Sequence, residues 1–395
     1  AIRGKKNDGN KYVAQSFKRK ASLAVVNKIQ NNFNKSRQIK VKNTLKFLTD
    51  ISKTFRKSID TNIIAITGSC GKTTLKELLG NVLSKISKVS ISPKSYNNKF
   101  GVPLSLFNLK QNDEFGILEV GMDKKGEIDY LSKIIEPNVG VITNINYAHA
   151  KNFKDIEQIA LAKSEIINNI RSNGFIVLNA DDNFFRLHQK IAYKKDLKVI
   201  SFGIKNQKAN IKLIDVKPSG KKFKINISLN NQNRYFLISD DFQNNIYNIL
   251  SALSVISIYK NIFKLNKNIF LNFKIPGGRG DHSIIKINNK KVNLIDQSYN
   301  SNPLSLKSAI RNYDKINSKK SNKYLLIGDM LELGSHSKKL HQSIAPIINQ
   351  TKIKKVFVKG KMASIIFKNI SKAKRGRILF DKLEIIELIK KDLKN

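Results

Sequence analysis

The residues best suited to chemistry lie in ITGSCGKTT, residues 66–74. Gly68 and Gly71 let the backbone turn its N–H groups inward around phosphate oxygens, and Lys72 adds a positive charge. Thr73 offers a hydroxyl to Mg²⁺ at the start of a helix, and Ser69, Cys70 and Thr74 complete the set expected to touch a nucleotide. Ile66 stands where the longer phosphate-loop pattern has a glycine, so this is the short G-x-x-G-K-T form. Cys70 reads as a small filler. Two more polar residues close apolar runs: Glu119 ends FGILEV, and His149 follows VGVITNI within YAHA. Ligands of parallel α/β sheets bind beyond the carboxyl ends of strands, where a carboxylate and an imidazole near Thr73 would suit Mg²⁺ with phosphates. Each also has a plain reading, as a solvated glutamate and a satisfied histidine. By periodicity alone, Lys163 in ALAKSEI is a surface lysine with its stem laid along apolar neighbours.

The elements that must position these groups follow from apolar spacing. The run Asn62–Thr67 reads as a strand entering the glycine turn, and Leu75, Leu78, Leu79, Val82, Leu83 and Ile86 then form a helical stripe. Further strands are expected at Phe115–Val120, Val139–Thr143 and Phe175–Asn179, with helices at Asn43–Lys57, Gly126–Ile135, Ile156–Ile170 and Asn245–Tyr259. Alternating strand and helix predicts an α/β fold with a mostly parallel central sheet covered on both faces. Residues 209–240 read differently, as a β-ribbon insert turning at Pro218-Ser219-Gly220. After the Pro276–Gly280 turn, alternation resumes with strands at Val292–Ile295, Tyr324–Ile327, Val356–Val358 and Ile378–Phe380. Three domains are expected, at residues 1–59, 60–283 and 284–395.

Composition narrows the partners. The 395 residues include 73 Lys+Arg against 29 Asp+Glu, a formal net charge of +44. Such a balance invites a nucleic-acid reading. The lysines are dispersed, however, and Asn and Ile are also abundant, a pattern of AT-rich codons; no Trp and no basic segment with interleaved aromatics offers a stacking platform. Nucleic acid is therefore not an expected partner, while an acidic phosphate-bearing ligand would still be drawn in. The single cysteine excludes a disulfide framework and a Cys-based zinc site, and a reducing cytoplasm is the expected compartment. The most apolar stretch, Ile249–Tyr259, is too short to span a bilayer.

With these residues in hand, the chain resembles the Mur ligase superfamily, the ATP-dependent amide-forming enzymes of peptidoglycan synthesis. The resemblance runs in family order through ITGSCGKTTLKELL, SYNNKFGVPLSLFNL, LEVGMDKKGEIDYLSKIIEPNVGVITNINYAHA, LAKSEI, LNADD, GGRG, IDQSYNSNPLSLKSAI and IGDMLELGSHSKKLH. The segments after Tyr96 and Asp296 and the GDMLELG run point to the branch that adds D-alanyl-D-alanine to a UDP-N-acetylmuramoyl-tripeptide. It implies a partial N-terminal UDP-substrate domain, a central ATP-binding domain and a C-terminal Rossmann-like α/β domain. It also implies ATP and Mg²⁺ as cofactors, an acyl-phosphate intermediate, small-molecule substrates and a monomer. Residue by residue, Gly68, Gly71, Lys72 and Thr73 would hold ATP phosphates, and Thr73, Glu119 and His149 would ligate magnesium. Lys163 matches the family's carbamylated lysine, which reverses the surface reading. Lys72, Lys163 and Arg279 would be the catalytic set, with Arg279 reaching the phosphates. Asn245 would contact adenine, Asn97 and Asn98 would line the site near the UDP-peptide, and Tyr299, Asn300 and Asn302 would face the nucleotide from the C-terminal domain.

Departures from the family pattern are specific. Gln297 replaces the acidic residue that binds ribose hydroxyls, exchanging a charge-assisted hydrogen bond for a neutral one. Phe242-Gln243-Asn244 replaces the usual Gly-x-His before Asn245. The chain is expected to begin partway into the UDP-binding domain and to stop before the family's last strand. Competing readings are folylpolyglutamate synthase or another Mur ligase, a truncated ATP-binding chain without catalysis, and a basic phosphate-loop protein for nucleic acid.

Overall fold

The computed structural model describes residues 1–4, 7–287, 290–316 and 322–388. A parallel pair, β1 (Ala24–Val26) and β2 (Gln38–Lys40), lies beside the short helix α1 (Val13–Lys18), over a small core of Val13, Ala24 and Val26. Helix α2 (Thr44–Lys57) then leads into the central sheet. Asn43 caps it by accepting from the Leu45 and Lys46 amides. Its buried Arg56 ties it down: the guanidinium donates to the carbonyls of Ile135, Ile59 and Glu136 at 2.7, 3.1 and 3.1 Å. A buried guanidinium is stable only when its donors are met in this way.

The central sheet has nine strands in the order β11-β10-β9-β8-β7-β6-β3-β5-β4. These are β3 (Asn62–Thr67), β4 (Val89–Ile91), β5 (Phe115–Glu119), β6 (Val139–Ile142), β7 (Phe175–Asn179), β8 (Lys198–Gly203), β9 (Ile211–Ser219), β10 (Lys222–Leu229) and β11 (Gln232–Ser239). Strands β4 to β9 run parallel, and β9, β10 and β11 are antiparallel. The expected ribbon therefore exists as a continuation of the sheet edge, joined through Phe202↔Ile211 and Gly203↔Lys212. Its tight turn falls at Gly220 and Lys221, because Pro218 pairs with Phe223 within the strand.

The period of two in β3 separates the two sides of the sheet. Ile63 and Ala65 join one core with α5 (Glu127–Ile135) and α6 (Ile156–Ser164). Ile64 and Ile66 join the other with α3 (Lys72–Leu83) and α8 (Ile246–Tyr259). Each of these isoleucines is fully buried, contributing about 1.5–3 kcal/mol apiece. Helix α8 is apolar nearly all round because it is covered by α3 and the sheet, and no helix among the described residues is long and apolar enough to cross a membrane.

Two expectations change. Val292–Ile295 does not join the C-terminal sheet; it lies in β13 (Lys290–Asp296), paired antiparallel with β12 (Asp281–Ile287) in a separate hairpin. The boundary expected at 283–284 thus cuts through β12, because the apolar alternation of a hairpin strand resembles that of a βα strand over so few residues. Likewise the helix read over Ile156–Ile170 stops at Ser164 and continues as a 3₁₀ segment, Glu165–Asn169. The C-terminal sheet is parallel, β14 (Tyr324–Gly328), β15 (Lys355–Lys359) and β16 (Arg375–Leu379). Helix α9 (Pro303–Lys315) precedes it, with Asn302 and Ser305 forming a capping box and Pro303 opening its first turn.

Candidate active site

The phosphate loop joins β3 to α3, and its two glycines are conformationally required. Gly68 has φ 138° and Gly71 φ 85°. A Cβ on Gly68 would fall 1.9 Å from Thr143 Oγ1, and one on Gly71 2.8 Å from Asn248 Oδ1. The loop is braced by residues after β6. Thr143 Oγ1 donates to the Cys70 carbonyl at 2.6 Å, Asn144 accepts from the Cys70 amide at 3.0 Å, and Ser69 Oγ donates to the Asn146 carbonyl at 2.8 Å. Lys72 Nζ donates across the loop to the Gly68 carbonyl at 2.9 Å. Burial pushes the Cys70 thiol up, the reverse of what a reactive cysteine needs.

Strand β5 is hydrogen-bonded to β3, so the end of one meets the helix start after the other. Thr73 Oγ1 donates to Glu119 Oε2 at 2.7 Å, and Asn97 Nδ2 donates to Glu119 Oε1 at 2.8 Å. Glu119 is only 2% exposed and has no cationic partner among the described residues. Lys163 is 1% exposed, at the end of α6, and no group among the described residues hydrogen-bonds or ion-pairs with it. Burial first, and then the nearby charge of Lys72, hold its amine well below the usual lysine range, so it is disposed to be neutral. The surface reading of Lys163 is overturned. A nine-residue helix with apolar residues on several sides gives no clean stripe, and only the tertiary packing shows which side is covered.

His149 stands apart from the Thr73–Glu119 pair in its bonding: its Nδ1 meets a carboxylate oxygen of Glu332, from the C-terminal domain. Burial lowers its pKa, Glu332 opposes that, and the charges of Lys72 and Lys163 lower it further. The two lysines therefore lie close enough to His149 to be felt by it.

From the other side the C-terminal segment closes on the loop. Asn302 Nδ2 donates to Cys70 Sγ at 2.9 Å, while its Oδ1 caps α9. Tyr299 Oη donates to Ser95 Oγ at 3.0 Å, and the Arg279 guanidinium lies 4.5 Å from the Tyr299 ring centre. Between the two sides runs a cleft of about 1760 Å³. Asn97, Asn245, Gln297, Tyr299, Asn300 and Asn302 line it, as do His149, Glu119, Arg279 and the loop from Ser69 to Thr74. Of the residues anticipated from sequence, Gly68, Asn98 and Lys163 do not line it. Gly68 turns the chain beneath the loop, and the exposed Asn98 spends its Oδ1 on the Phe100 and Gly101 amides at the start of α4 (Gly101–Leu106).

Several contributors were not anticipated. Thr143, Asn144 and Asn146 are the loop's braces, and nothing in their spacing marks them. Asp181 sits at the end of β7 within LNADD, a strand-end position that could have marked it. Despite its burial, amide hydrogen bonds from Ile204, Lys205 and Asn206 and the Tyr247 hydroxyl hold its carboxyl below the usual range.

Comparison with known proteins agrees with this arrangement. The Mur ligase middle domain model matches residues 66–256, and the Mur ligase glutamate ligase domain model matches residues 283–395. The UDP-N-acetylmuramoyl-tripeptide–D-alanyl-D-alanine ligase of Buchnera aphidicola subsp. Acyrthosiphon pisum is 34% identical, over 99% of this chain and 83% of its own. The chain belongs to the MurF family of Mur ligases. Among solved structures, MurF from Acinetobacter baumannii superposes with a TM-score of 0.86 at 25% identity, over 99% of this chain and 84% of that one. MurF from Thermotoga maritima, solved with ADP, has the same fold, with a TM-score of 0.85 at 23% identity over 100% and 88% of the two chains.

Proposed function

We propose that the chain joins D-alanyl-D-alanine to a UDP-N-acetylmuramoyl-tripeptide at the expense of ATP. The observation that carries this is the near-full-length match to the MurF family, with the phosphate loop facing Asn302, Tyr299 and Arg279 across the cleft. We assign the central-sheet domain, from about residue 60 up to the β12–β13 hairpin, to nucleotide binding, and the hairpin with the C-terminal sheet to the closing ligase domain, with residues 1–59 on the UDP side. A carboxylate is a poor electrophile, so the tripeptide carboxylate attacks the γ-phosphorus, ADP departs, and an acyl phosphate forms. The amine of the dipeptide then attacks the acyl carbon, and inorganic phosphate leaves as the amine loses its proton.

The chain's part in this is positioning and charge neutralisation. The loop amides and Lys72 hold the phosphates, Lys72 exchanging its Gly68 carbonyl for a phosphate oxygen. Arg279 approaches from the opposite wall. Closure of the C-terminal segment on the loop, through Asn302 and Tyr299, excludes the water that would hydrolyse the acyl phosphate. A divalent cation fits the residues present: Glu119 is a buried carboxylate bridged, among the described residues, only by neutral donors, beside the Thr73 hydroxyl, a hard-oxygen set suited to Mg²⁺. Thr73 and Glu119 would hold it together with His149 and a carbamylated Lys163, and it would neutralise charge on the transferring phosphoryl group. A buried neutral amine is the form that adds to carbon dioxide, and the resulting carbamate would sit beside Lys72 as a counter-charge.

The test is phosphate release from Mg-ATP with the UDP-tripeptide, with and without D-alanyl-D-alanine. Release that requires the dipeptide, with the UDP-pentapeptide as product, supports the assignment. Dipeptide-independent release, or none from a well-folded chain, overturns it.

A further inference from the structure

The GDMLELG run, residues 328–334, carries no role in the reaction just described, yet its loop docks on the segment that bears His149. The Lys151 amide donates to the Glu332 carbonyl at 2.9 Å, and His336 Nε2 meets the Phe153 carbonyl at 3.2 Å. The Tyr147 and His336 rings lie 5.1 Å apart. Gly334 has φ 56°, and a Cβ there would fall 2.7 Å from Lys151 Cα, so the two loops meet backbone to backbone. Both His149 (φ 55°) and Glu332 (φ 61°) hold left-handed backbones, an unfavourable state for residues with side chains that persists only where the surroundings fix it. Together these contacts press the Glu332 carboxylate onto Nδ1 of His149.

A carboxylate on Nδ1 fixes the ring as the Nδ1–H tautomer and leaves the Nε2 lone pair free for a metal. We propose that Glu332 is the positioning residue of His149, so that this imidazole is set for ligation only while the C-terminal loop is docked on the central domain. The inference rests on the reading of His149 as a magnesium ligand. An alternative, a separate cation site among Asp123, His149 and Glu332, is disfavoured by Lys151. Its Nζ lies 3.1 Å from Asp123 and 3.7 Å from Glu332, so these carboxylates already have their counter-charge.

The test reads the tautomer directly. In ¹⁵N-labelled, metal-free protein the two-bond ¹H–¹⁵N pattern of five histidines is resolvable, and His149→Gln assigns the signal. Wild-type His149 is expected as Nδ1–H, and Glu332→Ala as a mixture or as Nε2–H. In turnover assays Glu332→Ala should raise the Mg²⁺ concentration at half-maximal rate by about 10–100-fold, the usual effect of losing such a partner. Glu332→Gln keeps an oxygen that accepts from Nδ1–H and should restore both the tautomer and most of the magnesium response. An Nε2–H signal in the wild type, or an unchanged Nδ1–H signal in Glu332→Ala, overturns the proposal. The wild-type tautomer needs no variant, so poor folding of Glu332→Ala does not protect it. An unchanged magnesium requirement in His149→Gln would instead remove the ligand reading, leaving the tautomer result to stand by itself.

Discussion

Lys163→Met isolates the electrostatics of the buried amine. The two side chains are similar in length, and Met needs no partner in the pocket that Lys163 fills at 1% exposure. Lys163 has its folded-state pKa lowered well below the ordinary 10.5, chiefly by burial. Between the lowered folded-state pKa and 10.5 the unfolded chain binds up to one more proton at this amine than the folded one, so the contribution of Lys163 to stability rises with pH. The slope is about 1.4 kcal/mol per pH unit, the free energy of one proton per tenfold change in its concentration. Raising the pH from 8.5 to 9.5 should therefore improve wild type relative to Lys163→Met, by at most about 1.4 kcal/mol. Tyrosines and other lysines titrate equally in both proteins and cancel in the difference. The measurement is urea unfolding of both proteins at several pH values in buffers purged of carbon dioxide, with the midpoint difference multiplied by the common m value. A pH-independent difference would refute the argument, because it would mean that Lys163 keeps its proton in the folded chain. Adding bicarbonate should stabilise only the wild type.

Three further substitutions test the site. Lys72→Ala should abolish turnover with the melting temperature little changed, since among the described residues Lys72 makes one side-chain hydrogen bond, to its own loop; near-normal activity would sink the phosphate assignment. Gly68→Ala meets Thr143 Oγ1 at 1.9 Å and a φ of 138°, so it should destabilise the central domain by about 1–3 kcal/mol and weaken nucleotide binding, both read by thermal shift with and without ATP. Asn302→Ala removes the cap of α9 and its contact with Cys70, costing about 0.5–2 kcal/mol and raising the KM for ATP more than it lowers kcat; an unchanged KM would detach α9 from nucleotide closure.

The sequence by itself determined what depends on short range. Glycine at Gly68 and Gly71, a lysine and a threonine at the head of an apolar helical stripe, and the run Asn62–Thr67 before them define a phosphate loop, because strand period, helix period and glycine conformation are all local properties. The same holds for the parallel order implied by alternating elements and for the ribbon over residues 209–240, which the structure contains as the sheet's antiparallel edge. The tertiary structure decided whatever depends on which elements become neighbours. Glu119 meets Thr73 because β5 lies next to β3 across an intervening span of chain, and Thr143 and Asn144 brace Cys70 because β6 lies on the other side. Lys163 looks like a surface lysine along its helix and is buried because the neighbouring elements close over it. Val292–Ile295 has the pattern of a βα strand and pairs instead within a hairpin, since alternation names a buried face but not the partner that covers it. Glu332 and His149 lie in different domains, far apart in sequence, and only the docking of one loop on another brings the carboxylate to the ring.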